Sequence, residues 1–371
     1  MPGTDQRRGR HRGSIIPGLV SAGLYRGRRA VSIENDQLRV TVLVEGGHLA
    51  EVFDKTTGIN PLWTPPWPSI EPSTYDPGQH GAIYGGGGDG KLLAGIMGHN
   101  LCLDVFGAAS DAEAAAGVTA HGEGSVAPYE ISDSRSTMTA HAVFPLAQLD
   151  FHREIDLKGR AVRVNERIVS RCGFDRPIGW TQHVTLGPPF LETGRTEFRA
   201  SATRSKVFES AFGVADYLKE GACFDWPAAP RLDGGATDLR TFTGAPTSSA
   251  YTAHLMDETL ARAFFVAFSP SARLAFGYVW ERADFPWLGI WEENRSRTSA
   301  PWCGNAIARG MEFGVSPFPE TRRTMVDRGR MFDVPTYRWL PADGALEATY
   351  WIVLQTADRI PEYLDWPNPG A

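Results

Sequence analysis

Leu38-Arg39-Val40-Thr41-Val42-Leu43-Val44-Glu45-Gly46-Gly47-His48-Leu49-Ala50-Glu51-Val52-Phe53-Asp54-Lys55-Thr56-Thr57-Gly58 carries the fold in miniature. Leu38, Val40, Val42 and Val44 alternate with Arg39, Thr41 and Leu43, a period of two that fits a strand with one face more buried than the other. Gly46-Gly47 breaks the run and residues 48–53 resume it. Asp54-Lys55-Thr56-Thr57-Gly58 then supplies turn residues before Leu62-Trp63, so an antiparallel hairpin is expected.

The same pattern recurs outward along the chain. Phe151, Arg153, Ile155 and Leu157 run into Lys158-Gly159, and Val162, Val164 and Ile168 run out of it, a second hairpin with its turn written in the sequence. Leu274, Phe276, Tyr278 and Trp280 alternate, as do Leu346, Ala348, Tyr350, Ile352 and Leu354. Forty glycines, 26 prolines and 40 aromatic residues in 371 favour strands joined by tight turns over helical bundles. The best helix signal is short: Ser110-Asp111-Ala112-Glu113 has capping-box spacing and Gly117 stops it. No internal repeat or linker divides residues 31–371, which are therefore expected to form one all-β domain, a large antiparallel β-sandwich.

Residues 1–30 read differently. They hold seven arginines (Arg7, Arg8, Arg10, Arg12, Arg26, Arg28 and Arg29) against one acid, Asp5, and are expected to form a basic, solvated arm. The whole chain carries a net charge of −6, which gives no basic field for a phosphate backbone, so no nucleic-acid partner is expected. No run of 18 apolar residues is present and residues 14–25 are broken by Pro17, Gly18 and Gly23, which predicts a cytoplasmic protein with no membrane partner. Cys102, Cys172, Cys223 and Cys303 are far apart and without C-x-x-C spacing, as expected of free thiols. No cofactor is implied.

Gly85-Gly86-Gly87-Gly88-Asp89-Gly90-Lys91 imitates a phosphate-binding loop, but Leu92 stands where a Ser or Thr would ligate magnesium and no βαβ context surrounds it. It reads as a mobile glycine-rich loop whose backbone amides could line a ligand site. Among the histidines, His141, His152 and His254 lie in strand-like segments without a companion pattern and are assigned packing or surface roles. His121, in His121-Gly122-Glu123-Gly124, sits on a loop, and His183 ends a strand-like run before Gly187-Pro188-Pro189. Each suits either a ligand contact or a structural hydrogen bond. Acid/base chemistry would need a carboxylate partner. Glu292 and Glu293, close to Arg295, offer one, and Glu312 between Met311 and Phe313 offers another. Glu312 is either exposed on a polar face or buried with a raised pKa. Trp287, Trp291 and Trp302 lie within sixteen residues and either line a cleft suited to the C–H face of a sugar or pack in the core. The candidate histidines and glutamate lack metal-ligand spacing, so no metal is expected.

These segments resemble the galactose mutarotase-like superfamily, the aldose 1-epimerases and their relatives. Glu45-Gly46-Gly47-His48-Leu49 through Asp54-Lys55-Thr56-Thr57-Gly58 to Leu62-Trp63 is similar to that family's opening hairpin. His121-Gly122 is similar to its His-Gly pair, Gln182-His183 with Leu186 to its later histidine segment, and Gly310-Met311-Glu312-Phe313 with Phe318-Pro319 to the segment that supplies its catalytic glutamate. The likeness spans roughly residues 31 to 360 in order. It implies a β-supersandwich with a sugar site in the concave face of one sheet.

By the same resemblance, Glu312 would take the proton of the anomeric hydroxyl, His183 would deliver one to the ring oxygen, and His121 would hold and polarise that region. Substrate contacts are expected from Trp287, Trp291, Glu293, Arg295, His48, His99 and Gln182. Two departures stand out. No Gly-Arg-x-x-Asn-Arg segment precedes His121, where Gly90-Lys91 and Gly98-His99-Asn100 stand instead, and Val184-Thr185 follows His183 where an aromatic and an asparagine are usual. The expected function is thus an aldose 1-epimerase-like isomerase of a small carbohydrate, without the hexose specificity of the well-known enzymes. Two alternatives are a sugar-binding protein without turnover, and a lyase or hydrolase of a modified sugar that uses Glu292, Glu293 and Arg295.

Overall fold

A computed structural model describes residues 23–134 and 136–367. Two large antiparallel sheets, one of twelve strands and one of eight, pack face to face. The expected hairpin is present, with Leu38–Leu43 paired to Leu49–Asp54. So are the second, Leu149–Lys158 with Ala161–Ser170, and the strands Leu274–Glu281 and Ala345–Thr356. Apolar residues of both sheets meet in one core: Val40, Leu101, Trp180 and Met311 from the larger sheet, and Phe151, Val164, Tyr278 and Tyr350 from the smaller.

A polar seam runs through that core. Arg153 and Glu166 are both fully buried, with Nε and Oε1 2.8 Å apart. Glu166 also accepts from Trp180 Nε1 at 3.1 Å and Tyr350 Oη at 3.0 Å, while Arg153 donates to the Gly47 carbonyl at 2.7 Å. Each charge is thus paired and hydrogen-bonded, the condition under which the interior tolerates it.

The other face of the twelve-stranded sheet carries a second cluster of buried residues under a roof. The roof is residues 55–98, inserted between Leu49–Asp54 and His99–Asp104, two strands that pair only at Leu49 and His99. Its two short helices, Pro77–Tyr84 and Gly90–Gly95, flank the glycine run, which is therefore the link between them. The helix with the capping box forms as expected over Asp111–Ala115, with Ser110 and Glu113 satisfying each other's backbone N–H groups.

The sheet begins at Gly23, inside the segment expected as a solvated arm; residues 1–22 lie outside the described residues. Arg28 is fully buried, donating from Nε to Glu71 at 2.9 Å, from one terminal nitrogen to the Gly95 carbonyl at 2.8 Å and from the other to the Glu45 carbonyl at 2.8 Å. It ties the middle of the roof, at Glu71, and its C-terminal part, at Gly95, to the first strands. All four cysteines are free. No helix among the described residues is long and apolar enough to cross a membrane.

Candidate active site

Five neighbouring strands form the floor beneath the roof: His99–Asp104, Arg176–Leu186, Ile307–Gly314, Trp287–Asn294 and Ser248–Met256. Cross-strand pairing places Asn100, His183, Glu312, Gly289 and Ala253 in one row across them. Directly paired residues project to the same side of a sheet, so His183 and Glu312 meet although 129 positions apart in the chain. His183 Nε2 lies 3.1 Å from Glu312 Oε1, and both side chains are almost completely buried, at 7% and 2% exposure.

Two glycines make room for the carboxylate. A Cβ on Gly310, two residues before Glu312 on the same face, would come within 2.3 Å of Glu312 Oε1. A Cβ on Gly289, opposite Glu312, would come within 2.0 Å of Tyr251 Oη. Tyr251 reaches through that gap and donates to Glu312 Oε2 at 3.0 Å. Thr185 Oγ1 is 3.1 Å from His183 Nδ1, so both nitrogens of that ring are engaged.

His121 completes the group from a loop. Its φ is +65° and that of Gly122 is +79°, a double left-handed turn. A Cβ on Gly122 would meet the Leu103 carbonyl at 2.3 Å, so glycine is required there twice over. The turn aims the His121 ring at His183, with centroids 5.1 Å apart at 66°. The Gly107 N–H donates to His121 Nδ1 at 3.3 Å, which leaves Nε2 as the N–H of a neutral imidazole.

Burial sets the protonation. It pushes Glu312 up to about 8, against a smaller downward pull from the Tyr251 hydroxyl. It drives His183 well below the usual imidazole value, helped by nearby His121, and lowers His121 to about 4. Near neutral pH the favoured resting state is a carboxylic acid beside a neutral imidazole. The pair holds one transferable proton.

These residues line a cleft of about 600 Å³ together with Trp291, Trp302, Phe212, Arg297 and roof residues that include Leu92, Leu93 and Ile96. That size falls within the roughly 300–1,000 Å³ of small-molecule sites. The glycine run contributes Gly88 and Asp89 to the rim. Arg297 lies over Trp302, 4.9 Å from its ring centroid, and its guanidinium bonds Glu293 at 3.0 Å. Among the described residues no group of three or more His, Cys, Asp or Glu side chains is placed to hold a metal ion.

The structure brings together His121, His183, Glu312 and Trp291, and separates the other expected contacts from the cleft. Gln182 is one residue from His183, so strand alternation turns it to the inter-sheet core, where it bonds His99 at 2.9 Å. His99 in turn meets Tyr278 at 3.2 Å. His48 is buried against the Ser125 carbonyl at 2.9 Å. Trp287 shares the face of Trp291 but is covered by the segment around Phe332 and Pro335, whose carbonyl it bonds at 2.9 Å. Glu293 acts through Arg297, and Arg295 is exposed outside the cleft. Glu292 projects away from Glu293 toward Ser248 and Tyr217, so Glu292, Glu293 and Arg295 do not form the cluster their adjacency in sequence suggested.

Three cleft residues carried too little signal to be found from the sequence. Tyr251 lies in a strand, Ser248–Met256, in which every residue is buried, and no alternation marks its face. Phe212 and Arg297 lie in loops 85 positions apart in the chain and meet only in the fold, with the Phe212 carbonyl 3.4 Å from the guanidinium.

No protein-family model matches the chain, and no curated protein matches it. Solved structures do. One, from Klebsiella pneumoniae subsp. pneumoniae and provisionally named an aldose 1-epimerase, superposes with a TM-score of 0.64 at 15% identity, covering 90% of this chain and 80% of that one. A galactose mutarotase-like protein from Clostridium acetobutylicum gives 0.61 at 12% identity, covering 91% and 98%. Another from Lactobacillus casei gives 0.56 at 12%, covering 88% and 100%. The chain has the galactose mutarotase-like fold.

Proposed function

We propose that this protein is an acid/base isomerase that interconverts the anomers of an aldose in the cleft beneath the roof. The observation that carries the reading is the buried contact between His183 and Glu312, 3.1 Å apart, with His121 turned toward it. Ring opening needs one proton removed from the C1 hydroxyl and one delivered to the ring oxygen. A pair that shares a single proton supplies both. As the sugar hydroxyl and ring oxygen replace their mutual contact, the proton passes from Glu312 to His183. The Glu312 carboxylate then accepts the C1 hydroxyl proton while the His183 imidazolium protonates the ring oxygen. The C1–O5 bond breaks and C1 becomes an aldehyde. Rotation about C1–C2 and the reverse transfers close the ring on the other face of C1.

Tyr251 holds the carboxylate in place, Thr185 holds the imidazole, and the His121 Nε2–H is available to the ring-oxygen region. Trp291, with its ring centroid 6.0 Å from that of His183, offers a wall for the sugar's C–H face. The test is NMR exchange between anomers for a panel of aldoses with the wild type and Glu312→Gln. Acceleration by the wild type that Glu312→Gln loses supports the reading, and exchange at the uncatalysed rate for every aldose removes it.

A further inference from the structure

Residues 295–306 link the strands Trp287–Asn294 and Ile307–Gly314 and reach the cleft with Arg297 and Trp302. Glu293, fully buried, fixes the start of this loop. It accepts from the Ser296 N–H at 2.6 Å, the Ser296 hydroxyl at 2.8 Å, the Arg297 N–H at 3.1 Å and the Arg297 guanidinium at 3.0 Å. That fills the roughly four acceptor sites of a carboxylate and leaves none for a ligand.

Arg297 is the opposite case. One terminal nitrogen bonds Glu293 and the other the Phe212 carbonyl at 3.4 Å, while Nε has no partner among the described residues. The side chain is held all the same, its guanidinium carbon 4.9 Å from the ring centroid of Trp302, 5.5 Å from that of Trp291 and 5.8 Å from that of Phe212. Among the described residues it is the only lysine or arginine that lines the cleft. Donors already fixed in place but still uncommitted lose little further entropy on bonding a ligand. Trp291 connects them to the reacting end, since the His183 ring lies 6.0 Å from the same indole. The carboxylates that act on the guanidinium are Glu293, Asp216 and Asp89, and Glu312 is not one of them. Three acids around one cation repel a phosphate or carboxylate, which leaves a neutral oxygen as the acceptor.

We infer that Arg297 is a ligand-binding residue that donates to a hydroxyl of a neutral aldose away from C1, and that Glu293 is the positioning residue that aims it. The inference rests on the reading of this cleft as an aldose site and adds the group that recognises the rest of the sugar. A hydrogen bond from a charged donor is worth about 10- to 100-fold in affinity. A guanidinium that only ties the Phe212 loop to residues 295–306 would contribute nothing that depends on a particular hydroxyl.

The test is isothermal titration calorimetry of the wild type and Arg297→Gln with D-glucose, D-galactose, D-mannose, D-xylose and L-arabinose, then with the monodeoxy analogues of the tightest binder. Turnover is read separately from NMR anomer exchange. Arg297→Gln should weaken binding and raise KM about 10- to 100-fold, with kcat changed far less. Loss of one hydroxyl from the sugar should weaken binding to the wild type by a similar factor and cost Arg297→Gln nothing. Glu293→Gln should weaken binding on its own and add nothing to Arg297→Gln. Should Arg297→Gln not fold, Arg297→Lys, which keeps the charge and loses the fork, carries the same comparison with part of the loss. Unchanged affinity in the variant, a hydroxyl penalty that survives in it, tighter binding of D-glucuronate or glucose 6-phosphate than of every aldose, or binding of no sugar overturns the inference. Accelerated exchange at an unaltered KM in Arg297→Gln would overturn it and leave the isomerase reading standing. Arg297-dependent binding without accelerated exchange would do the reverse.

Discussion

Glu312 and His183 face each other from adjacent antiparallel strands, Oε1 to Nε2 at 3.1 Å, both buried and each braced by a hydroxyl, from Tyr251 and Thr185 respectively. Replacing either partner leaves the other without its proton relay. Glu312→Gln and His183→Gln should each lower the anomer exchange rate by about 10²- to 10⁴-fold. The double variant should be little worse than the poorer single one, because the two act as a unit. Multiplicative losses would contradict a shared proton.

The pH dependence follows from counting that proton. The pair works with one proton and fails with none or two. With Glu312 raised to about 8, catalysed exchange should fall as pH rises through about 8. A second loss is expected on the acid side, below the usual histidine range, where His183 also becomes charged. Exchange rates from pH 4 to 10, corrected for buffer catalysis, check both limbs. A rate that climbs through pH 8 would show Glu312 working as a simple base.

Tyr251→Phe removes the one hydrogen bond that lowers the Glu312 pKa. The alkaline limb should move to higher pH while the acid limb stays. A purely structural role for Tyr251 would lower the rate at every pH without moving either limb.

The two glycines of the floor should respond differently to a methyl group. In Gly310→Ala the new carbon meets the Glu312 carboxylate, at 2.3 Å, the far end of a side chain that can turn aside, so the carboxylate is displaced from His183 and Tyr251 and activity should be lost at a smaller cost in stability than in Gly289→Ala. In Gly289→Ala it meets the rigid Tyr251 ring, with Oη at 2.0 Å and Cζ at 2.8 Å, and the cost should be about 1–3 kcal/mol of stability. Urea unfolding alongside exchange kinetics separates the two.

Acid should destabilise the fold through its buried neutral histidines. Burial holds His48, His99 and His254 down to about 3 and His121 to about 4. Their unfolded values are near 6.5, so the stability they contribute is complete above about 6.5 and is lost as pH falls from there toward about 3. Glu312 has the opposite sign. Its contribution is present below about 4.3 and is lost as pH rises to about 8. The urea midpoint of the wild type should therefore fall below pH 6.5. Glu312→Gln should gain stability over the wild type between about pH 4 and 8, with no further gain above that.

Alternation was readable because each hairpin keeps its polar and apolar residues in step, as Leu149–Lys158 and Ala161–Ser170 do. His121, His183 and Glu312 were readable because glycine breaks and apolar neighbours frame them. Gln182 was misplaced by the same rule that placed His183: a single step along a strand changes the face, and local sequence does not say which face is covered. Trp287 and Trp291 share a face and differ only in what lies above them, which is decided by segments distant in sequence. Arg28 looked like one of a run of solvated arginines, and only the folded chain brings Glu71 and Gly95 to it.

The insertion over residues 55–98 leaves the sheet after Asp54 and rejoins it at His99, its two ends held to the floor by the Leu62–Leu186 bridge and the Leu49–His99 pairing, and the stretch between those ends makes no further strand pairing with the floor among the described residues. The proton-handling groups belong to those strands and to the His121 turn, whereas Leu92, Leu93 and Ile96 belong to the insertion. A graft of that one segment between relatives would exchange the preference for one ligand over another while leaving the reaction itself in place.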